Sequence, residues 1–238
     1  MKLKALIFDV DGTIANTEHK GHLPACNEAF ATLGYPIHWT WEEFKEMQWM
    51  AGNAVRMRKS LSEWRPDMGG DDLDTAVSEL VKLKKKFYIE KYLPDLPLRE
   101  GVVDIMEEAL ARGVRLAVVS MSYEAQVNAL LSNHLPQIYP HLAPILGKES
   151  GPKTAPESPL YTKCLAALGT SLDETLVIED SQEGFAAAKR VGIPTAVIYN
   201  DYTFGKNFAG AQLVARSLAH FTLQQLEDLC LPESDQSS

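Results

Sequence analysis

Leu3-Lys4-Ala5-Leu6-Ile7-Phe8-Asp9-Val10-Asp11-Gly12-Thr13-Ile14 is an apolar run that ends at two carboxylates one residue apart, followed by glycine and a hydroxyl. In an extended chain, residues two apart lie on the same side, so Asp9 and Asp11 face one small volume where the strand stops. The apolar side chains before them predict a strand buried on both faces, as in the middle of a parallel sheet. Ligand sites in open parallel sheets form at the carboxyl ends of such strands. Paired carboxylates there suit a bound cation and a reacting phosphate. The plain alternative is an ordinary Asp-Gly-Thr turn. With average residue usage, that string arises by chance in roughly one of several hundred chains of this length. Neighbouring carboxylates also repel each other unless a cation or proton balances them.

With 238 residues, 45% of them hydrophobic, the chain can build one substantial core plus a smaller lobe. Lys and Arg number 23 against 32 Asp and Glu, a formal charge of −9. That balance argues against nucleic acid or a polybasic membrane surface as partner. No apolar run is long enough to span a membrane, and Met1-Lys2-Leu3-Lys4 leads directly into the first strand rather than into a signal-peptide core. A cytoplasmic protein is expected. Cys26, Cys164 and Cys230 are odd in number and widely spaced, which fits reduced thiols rather than a disulfide framework or zinc site.

Residues 17–93 pattern as helices near Ala25–Leu33, Trp41–Gln48, Ala54–Trp64 and Leu73–Tyr92, with no convincing strand. They predict an inserted helical lobe, its core built around Trp39, Trp41, Trp49 and Trp64. The breaker-rich stretch from Leu93 to Gly101 marks the return to the main domain, assigned residues 1–16 and 94–238. From there helices alternate with strands. Strands are expected at Val114–Val119, Ala143–Leu146, Thr175–Ile178 and Thr195–Tyr199, with a last one near Gln212–Val214. Helices are expected at Val102–Arg112, Glu124–Leu131, Pro159–Leu168, Gly184–Val191 and Leu223–Leu229, before a loose tail at Pro232–Ser238. The fold class is therefore α/β, a doubly wound parallel sheet with an all-helical insert.

Polar residues recur where such a sheet places its site. Thr175-Leu176-Val177-Ile178-Glu179-Asp180-Ser181 repeats the logic of the first strand, apolar residues followed at once by acids. Asp9, Asp180 and Glu179 match the hard oxygen donors that magnesium prefers. Glu179-Asp180 serves equally well on paper as an N-cap for the following helix. Ser120 ends another predicted strand, and its hydroxyl could bind a phosphate oxygen, although Ser120 or Ser122 could simply cap a helix. Lys153 sits in an irregular Gly- and Pro-rich loop where a cation could balance phosphate charge, and Lys148 is its rival. The histidines show no metal-ligand spacing, and neither a P-loop nor a dinucleotide fingerprint follows the first strand.

Phe8-Asp9-Val10-Asp11-Gly12-Thr13, Ser120, Lys153 and Glu179-Asp180-Ser181, in this order, resemble the four signature motifs of the haloacid dehalogenase superfamily. The insert resembles its small helical cap on a Rossmann-like core. The resemblance implies that Asp9 is a nucleophile forming an aspartyl-phosphate and that Asp11 protonates the leaving alcohol and then activates water. It further implies Mg2+ held by Asp9, the Asp11 backbone carbonyl and Asp180, with Glu179 close by, while Ser120 and Lys153 bind the transferring phosphoryl group. Thr17-Glu18, His22-Leu23-Pro24-Ala25-Cys26-Asn27, Leu98-Arg99-Glu100-Gly101-Val102 and Tyr202-Thr203 are similar to the CbbY-type sugar-phosphate phosphatases. That likeness implies a small phosphorylated metabolite such as xylulose 1,5-bisphosphate as partner, with Glu18 and Arg56 contacting its distal part unless they form only a salt bridge within the lobe or Arg56 is merely solvated. Nucleic acid and membrane are not expected partners, and a monomer is expected. The alternatives are a phosphomutase of the beta-phosphoglucomutase type, with the same aspartates, and a non-catalytic phospho-ligand binding module.

Overall fold

The computed structural model describes residues 2–50 and 52–230, so the expected tail Pro232–Ser238 lies outside the described residues, as does the Cys230 side chain. Six strands, β1 (Ala5–Phe8), β2 (Arg115–Val119), β3 (Leu142–Leu146), β4 (Thr175–Glu179), β5 (Thr195–Ile198) and β6 (Leu213–Ala215), form one parallel sheet in the order β3-β2-β1-β4-β5-β6. Each matches an apolar stretch expected to be a strand. Phe8 is in register with Val118 on one side and Ile178 on the other, so the residues after β1, β2 and β4 emerge side by side. The chain winds outward from β1 to β3, then restarts on the other side at β4. That reversal puts a crevice between the carboxyl ends of β1 and β4.

β1 is shorter than its apolar run because the backbone before it is engaged elsewhere. The Leu3 N–H donates to Glu227 Oε1 at 3.0 Å and the Lys4 N–H to the Glu174 carbonyl at 2.8 Å. Ala5, Ile7, Ala117, Val119 and Val177 pack on one face against Leu160, Tyr161 and Cys164 of α7 (Pro159–Leu168) and Ala187 and Ala188 of α8 (Gln182–Val191). The alternate residues Leu6, Phe8, Leu116, Val118, Leu176 and Ile178 are also buried, which requires cover on the second face. α5 (Val102–Ala111) packs on β2 and α9 (Leu223–Cys230) on β5, while α6 (Glu124–His134) packs on β3. The observed class is the expected doubly wound α/β sheet. Cys164 and Cys26 are buried free thiols, which burial pushes up to about 12.

The chain divides into two compact units, one ending at Ala15 and resuming at Pro97, the other spanning Asn16–Leu96. Leu96 stays with the helices because it packs on Gly21. The described residues of this second unit hold four α-helices and no strand: α1 (Leu23–Thr32), α2 (Trp41–Glu46), α3 (Asn53–Trp64) and α4 (Gly70–Phe87). A capping box between Thr40 and Glu43 starts α2. α4 stops short of Tyr92 because the Leu93 N–H reaches back to the Tyr88 carbonyl in a wider turn and Pro94 has no N–H to continue. Trp39 is buried in the unit's core and Trp41 packs against it, but Trp49 is 74% exposed and Trp64 39%. The expectation of four core tryptophans is corrected for these two: Trp49 falls beyond the end of α2, and Trp64 is the last residue of α3.

Candidate active site

Asp9 continues β1 by one residue, its N–H donating to the Ile178 carbonyl at 3.0 Å, and its side chain is buried. Immediately beyond, the chain turns sharply. The Gly12 N–H donates to the Ala15 carbonyl at 2.8 Å and the Ile14 N–H to the Val10 carbonyl at 2.9 Å. Gly12 has φ +83°, and a Cβ there would collide with the Tyr202 hydroxyl, the Asp180 carboxylate and the Asn200 amide. Glycine is required on both counts.

Lys153 is the only cation this cluster of acids contacts among the described residues. Its Nζ lies 2.6 Å from Asp9 Oδ1 and 2.5 Å from Glu179 Oε1, buried with both. Its rival Lys148 is exposed, with Nζ 4.7 Å above the Tyr123 ring. The other oxygen of Glu179 accepts from the Asp180 and Ser181 N–H groups at 2.9 and 3.0 Å and from the Ser181 hydroxyl at 3.0 Å. Gly184 leaves room for this carboxylate, which a Cβ would strike. Capping of α8 falls to Ser181, whose hydroxyl accepts from the Gly184 N–H at 3.1 Å, so Asp180 is not spent as a cap.

Burial raises Asp9 to about 7; the Lys153 ammonium opposes this, and Glu179 and Asp11 reinforce it. Burial and the Glu179 and Asp9 charges raise Asp180 well above the carboxylate range. For Lys153, burial disfavours the ammonium, but Asp9 and Glu179 outweigh it and hold the group well above the lysine range. Ser120 ends β2 fully buried, and its hydroxyl accepts from the Ser122 N–H at 3.0 Å. Ser122 in turn donates its hydroxyl to Asp11 Oδ2. Neither serine caps α6, whose N-cap position is Tyr123.

Oxygens of Asp9, Glu179 and Asp180 lie within 4.8 Å of one another, all three buried. When ionised, this hard-oxygen set would carry more negative charge than Lys153 alone balances, and it fits a divalent cation such as Mg2+. A pH dependence follows. A carboxyl whose folded pKa lies above its unfolded value binds more protons in the folded state, so metal-free stability falls as pH rises from about 4 to 7, the window set by Asp9. A cation must displace those protons. Mg2+ should therefore raise the melting temperature more at pH 8 than at pH 5.5, approaching about 2.7 kcal/mol at a hundredfold excess over Kd. Equal gains at both pH values in thermal melts would contradict this.

The sequence profile of haloacid dehalogenase-like hydrolases matches residues 6–198. The chain belongs to that family. As a haloacid dehalogenase-like hydrolase of the CbbY type it is a phosphatase: it is 31% identical to Protein CbbY of Rhodobacter capsulatus over 96% of this chain and 100% of that protein. It is also 25% identical to the phosphoglycolate phosphatase of Rhodospirillum rubrum, over 84% of this chain and 81% of that one. The crystal structure of CbbY from Rhodobacter sphaeroides in complex with xylulose 1,5-bisphosphate superposes with TM-score 0.81 at 28% identity, covering 94% of this chain and 99% of that one.

In the helical unit of this hydrolase, Glu18 and Arg56 lie in one polar knot around the buried arginine. Arg56 Nη1 is 3.9 Å from Glu18 Oε2, and Gln48 bridges them at 3.2 Å on each side. Arg56 Nε also donates to the Met47 carbonyl at 3.0 Å. The arginine is not solvated. Among the described residues, no helix is long and apolar enough to cross a membrane.

Two residues at the site had no role assigned from sequence, and one of them, Arg99, stood only within the CbbY-like stretch Leu98–Val102. Asn200 Nδ2 donates to Asp180 Oδ2 at 2.6 Å, beside Thr13 Oγ1, which donates to Asp180 Oδ1 at 3.1 Å. Arg99 is buried, and among the described residues no carboxylate pairs with its guanidinium. It donates instead to the Gly12 carbonyl at 2.6 Å, Tyr199 at 2.9 Å, Arg216 at 2.5 Å and Ile198 at 3.3 Å. Burial lowers its pKa, against the pull of Asp180. The arginine thus ties the turn after β1 to the end of β5. Arg99→Met should leave these carbonyls unpaired and cost about 3 kcal/mol in urea unfolding. A loss under about 1 kcal/mol would show that the turn holds itself.

Proposed function

We propose that this protein is a Mg2+-dependent phosphatase of small phosphorylated sugars, acting through an aspartyl-phosphate on Asp9. The observation that carries the reading is the convergence of Asp9, Lys153, Glu179 and Asp180 at the crevice between β1 and β4. In this reading Asp9 and Asp180, with the Asp11 backbone carbonyl, hold the cation. Glu179 stands close by, where it also anchors Lys153 and the start of α8. Bound Mg2+ supplies positive charge that favours ionised Asp9 and neutralises phosphoryl oxygens.

The chain's own groups then divide the work. An Asp9 carboxylate oxygen attacks phosphorus as the bond to the leaving alcohol breaks, and Asp11 gives its proton to that alcohol. The Ser122 hydroxyl orients Asp11. Asp11, now a carboxylate, accepts a proton from water as the water attacks the aspartyl-phosphate, which releases phosphate and restores Asp9. Lys153 and the Ser120 hydroxyl bind the phosphoryl oxygens throughout, offsetting the repulsion between a carboxylate nucleophile and an anionic group. Glu18 and Arg56 are assigned to the distal end of the substrate.

The substrate proposed is a sugar bisphosphate such as xylulose 1,5-bisphosphate, the molecule seen on the Rhodobacter sphaeroides relative. Phosphate release from a panel of sugar mono- and bisphosphates, with and without Mg2+, tests the assignment. Magnesium-dependent release concentrated on a bisphosphate is expected. Isomerised sugar phosphate without net release would establish a mutase instead, and no turnover of any kind would leave a binding role.

A further inference from the structure

We propose that Asn200 is a positioning residue that sets the magnesium affinity of this site by holding the Asp180 carboxylate. The inference rests on the functional reading above and adds a residue that acts through another.

The geometry at Asn200 has only one orientation. Its Oδ1 accepts from the Tyr202 N–H at 3.2 Å, the Thr203 N–H at 3.1 Å and the Thr203 hydroxyl at 3.1 Å. Three donors on one atom identify it as the oxygen, so the amide nitrogen must face Asp180. The residue is anchored a second time, its own N–H donating to Thr203 Oγ1 at 2.9 Å. Below it, the Tyr199 N–H donates to the Ala215 carbonyl at 2.9 Å, continuing the β5–β6 pairing. Asn200 is therefore a rigid donor delivered by the end of β5.

What it holds is a buried carboxylate with few other partners. Asn200 Nδ2 takes Oδ2 at 2.6 Å, Thr13 takes Oδ1, and the Tyr202 hydroxyl stands 3.4 Å from Oδ2. Gripped at both oxygens, the carboxylate keeps one plane, and its remaining lone pairs stay free for a cation shared with Asp9. A turn-forming asparagine needs only its acceptor oxygen, and its amide nitrogen could equally face water. Here the nitrogen is committed to a proposed metal ligand.

Truncating the side chain separates the two roles. Asn200→Ala removes acceptor and donor together, whereas Asn200→Ser keeps a hydroxyl for the turn but is too short to reach Asp180. Asp201→Ala, at the exposed neighbour, serves as the control. Binding of Mn2+ to the full-length chain, read by loss of the free-ion EPR signal and by competition with Mg2+, measures affinity without reference to activity. Both Asn200 variants are expected to bind about 10-fold or more weakly, with Asp201→Ala unchanged and the metal-free melting temperature of Asn200→Ser close to wild type. Wild-type affinity in Asn200→Ser overturns the proposal, as does a metal-free melting temperature far below wild type, which would mark a purely structural residue. Absence of binding by the wild-type protein is a separate outcome that removes the underlying magnesium reading as well.

Discussion

Asp9→Asn is expected to lower turnover at least about 10⁴-fold, the scale seen when a nucleophile that acts with its partners is removed. The substitution keeps the side chain's shape but replaces the attacking carboxylate with an amide that cannot carry the phosphoryl group. Folding should survive. Asp9 is buried among like charges, and burial already favours its uncharged form, so a neutral side chain relieves repulsion with Glu179 while giving up one contact to Lys153. Steady-state assays beside thermal melts check both halves of the expectation. Turnover within about tenfold of wild type, in a variant that melts normally, would remove Asp9 from the nucleophile role.

Lys153→Met should be as damaging and for two reasons. It deletes the ammonium that pairs with Asp9 and Glu179 in the core, which leaves carboxylates buried without a counter-charge and costs about 3–5 kcal/mol in metal-free protein. The loss should shrink at acid pH, where Asp9 is protonated, and grow as pH rises through about 7, where burial places its pKa. Activity should fall about 10²–10³-fold even when Mg2+ restores much of the stability, because a fixed positive charge at the phosphoryl oxygens is gone. Lys148→Ala is the matched comparison. That lysine is exposed over the Tyr123 ring, and its removal should change stability by no more than about 0.5 kcal/mol. If the Lys148 variant loses activity and the Lys153 variant keeps it, the lysine assigned to the phosphoryl group is the wrong one.

The fold was legible because its strands are short apolar runs punctuated by acids, glycines and prolines, a pattern that inner parallel strands impose. The carboxylates of the site were legible for the same reason, since Asp9 follows directly on β1, and Glu179 ends β4 with Asp180 next to it. Lys153 and Lys148 could not be separated by composition. The choice between them depends on the path of an irregular loop, which carries Lys153 to Asp9 and leaves Lys148 outside. Ser122 looked like a helix cap because a hydroxyl shortly before a helix has that use, and only the approach of the β1 turn reveals its bond to Asp11. Asn200 left no readable signal, and Arg99 showed only within the CbbY-like stretch Leu98–Val102, with no role attached. Arg99 spends its donors on main-chain carbonyls 87 to 117 residues away, and a carbonyl has no side-chain identity to pair with in advance. Asn200 sits in an ordinary polar turn, and its partner Asp180 is 20 residues earlier in the chain. Trp49 failed as a core residue because hydrophobic size says nothing about where a short helix will stop.

Phosphoryl transfer onto the protein is tested by an acid quench during turnover of a ³²P-labelled sugar bisphosphate. In the presence of Mg2+ protein-bound label is expected that survives acid, is released by hydroxylamine as an acyl phosphate must be, maps to the peptide containing Asp9, and is missing from Asp9→Asn. Rapid release of phosphate with no label on Asp9 at any time, or label that persists in Asp9→Asn, would contradict it.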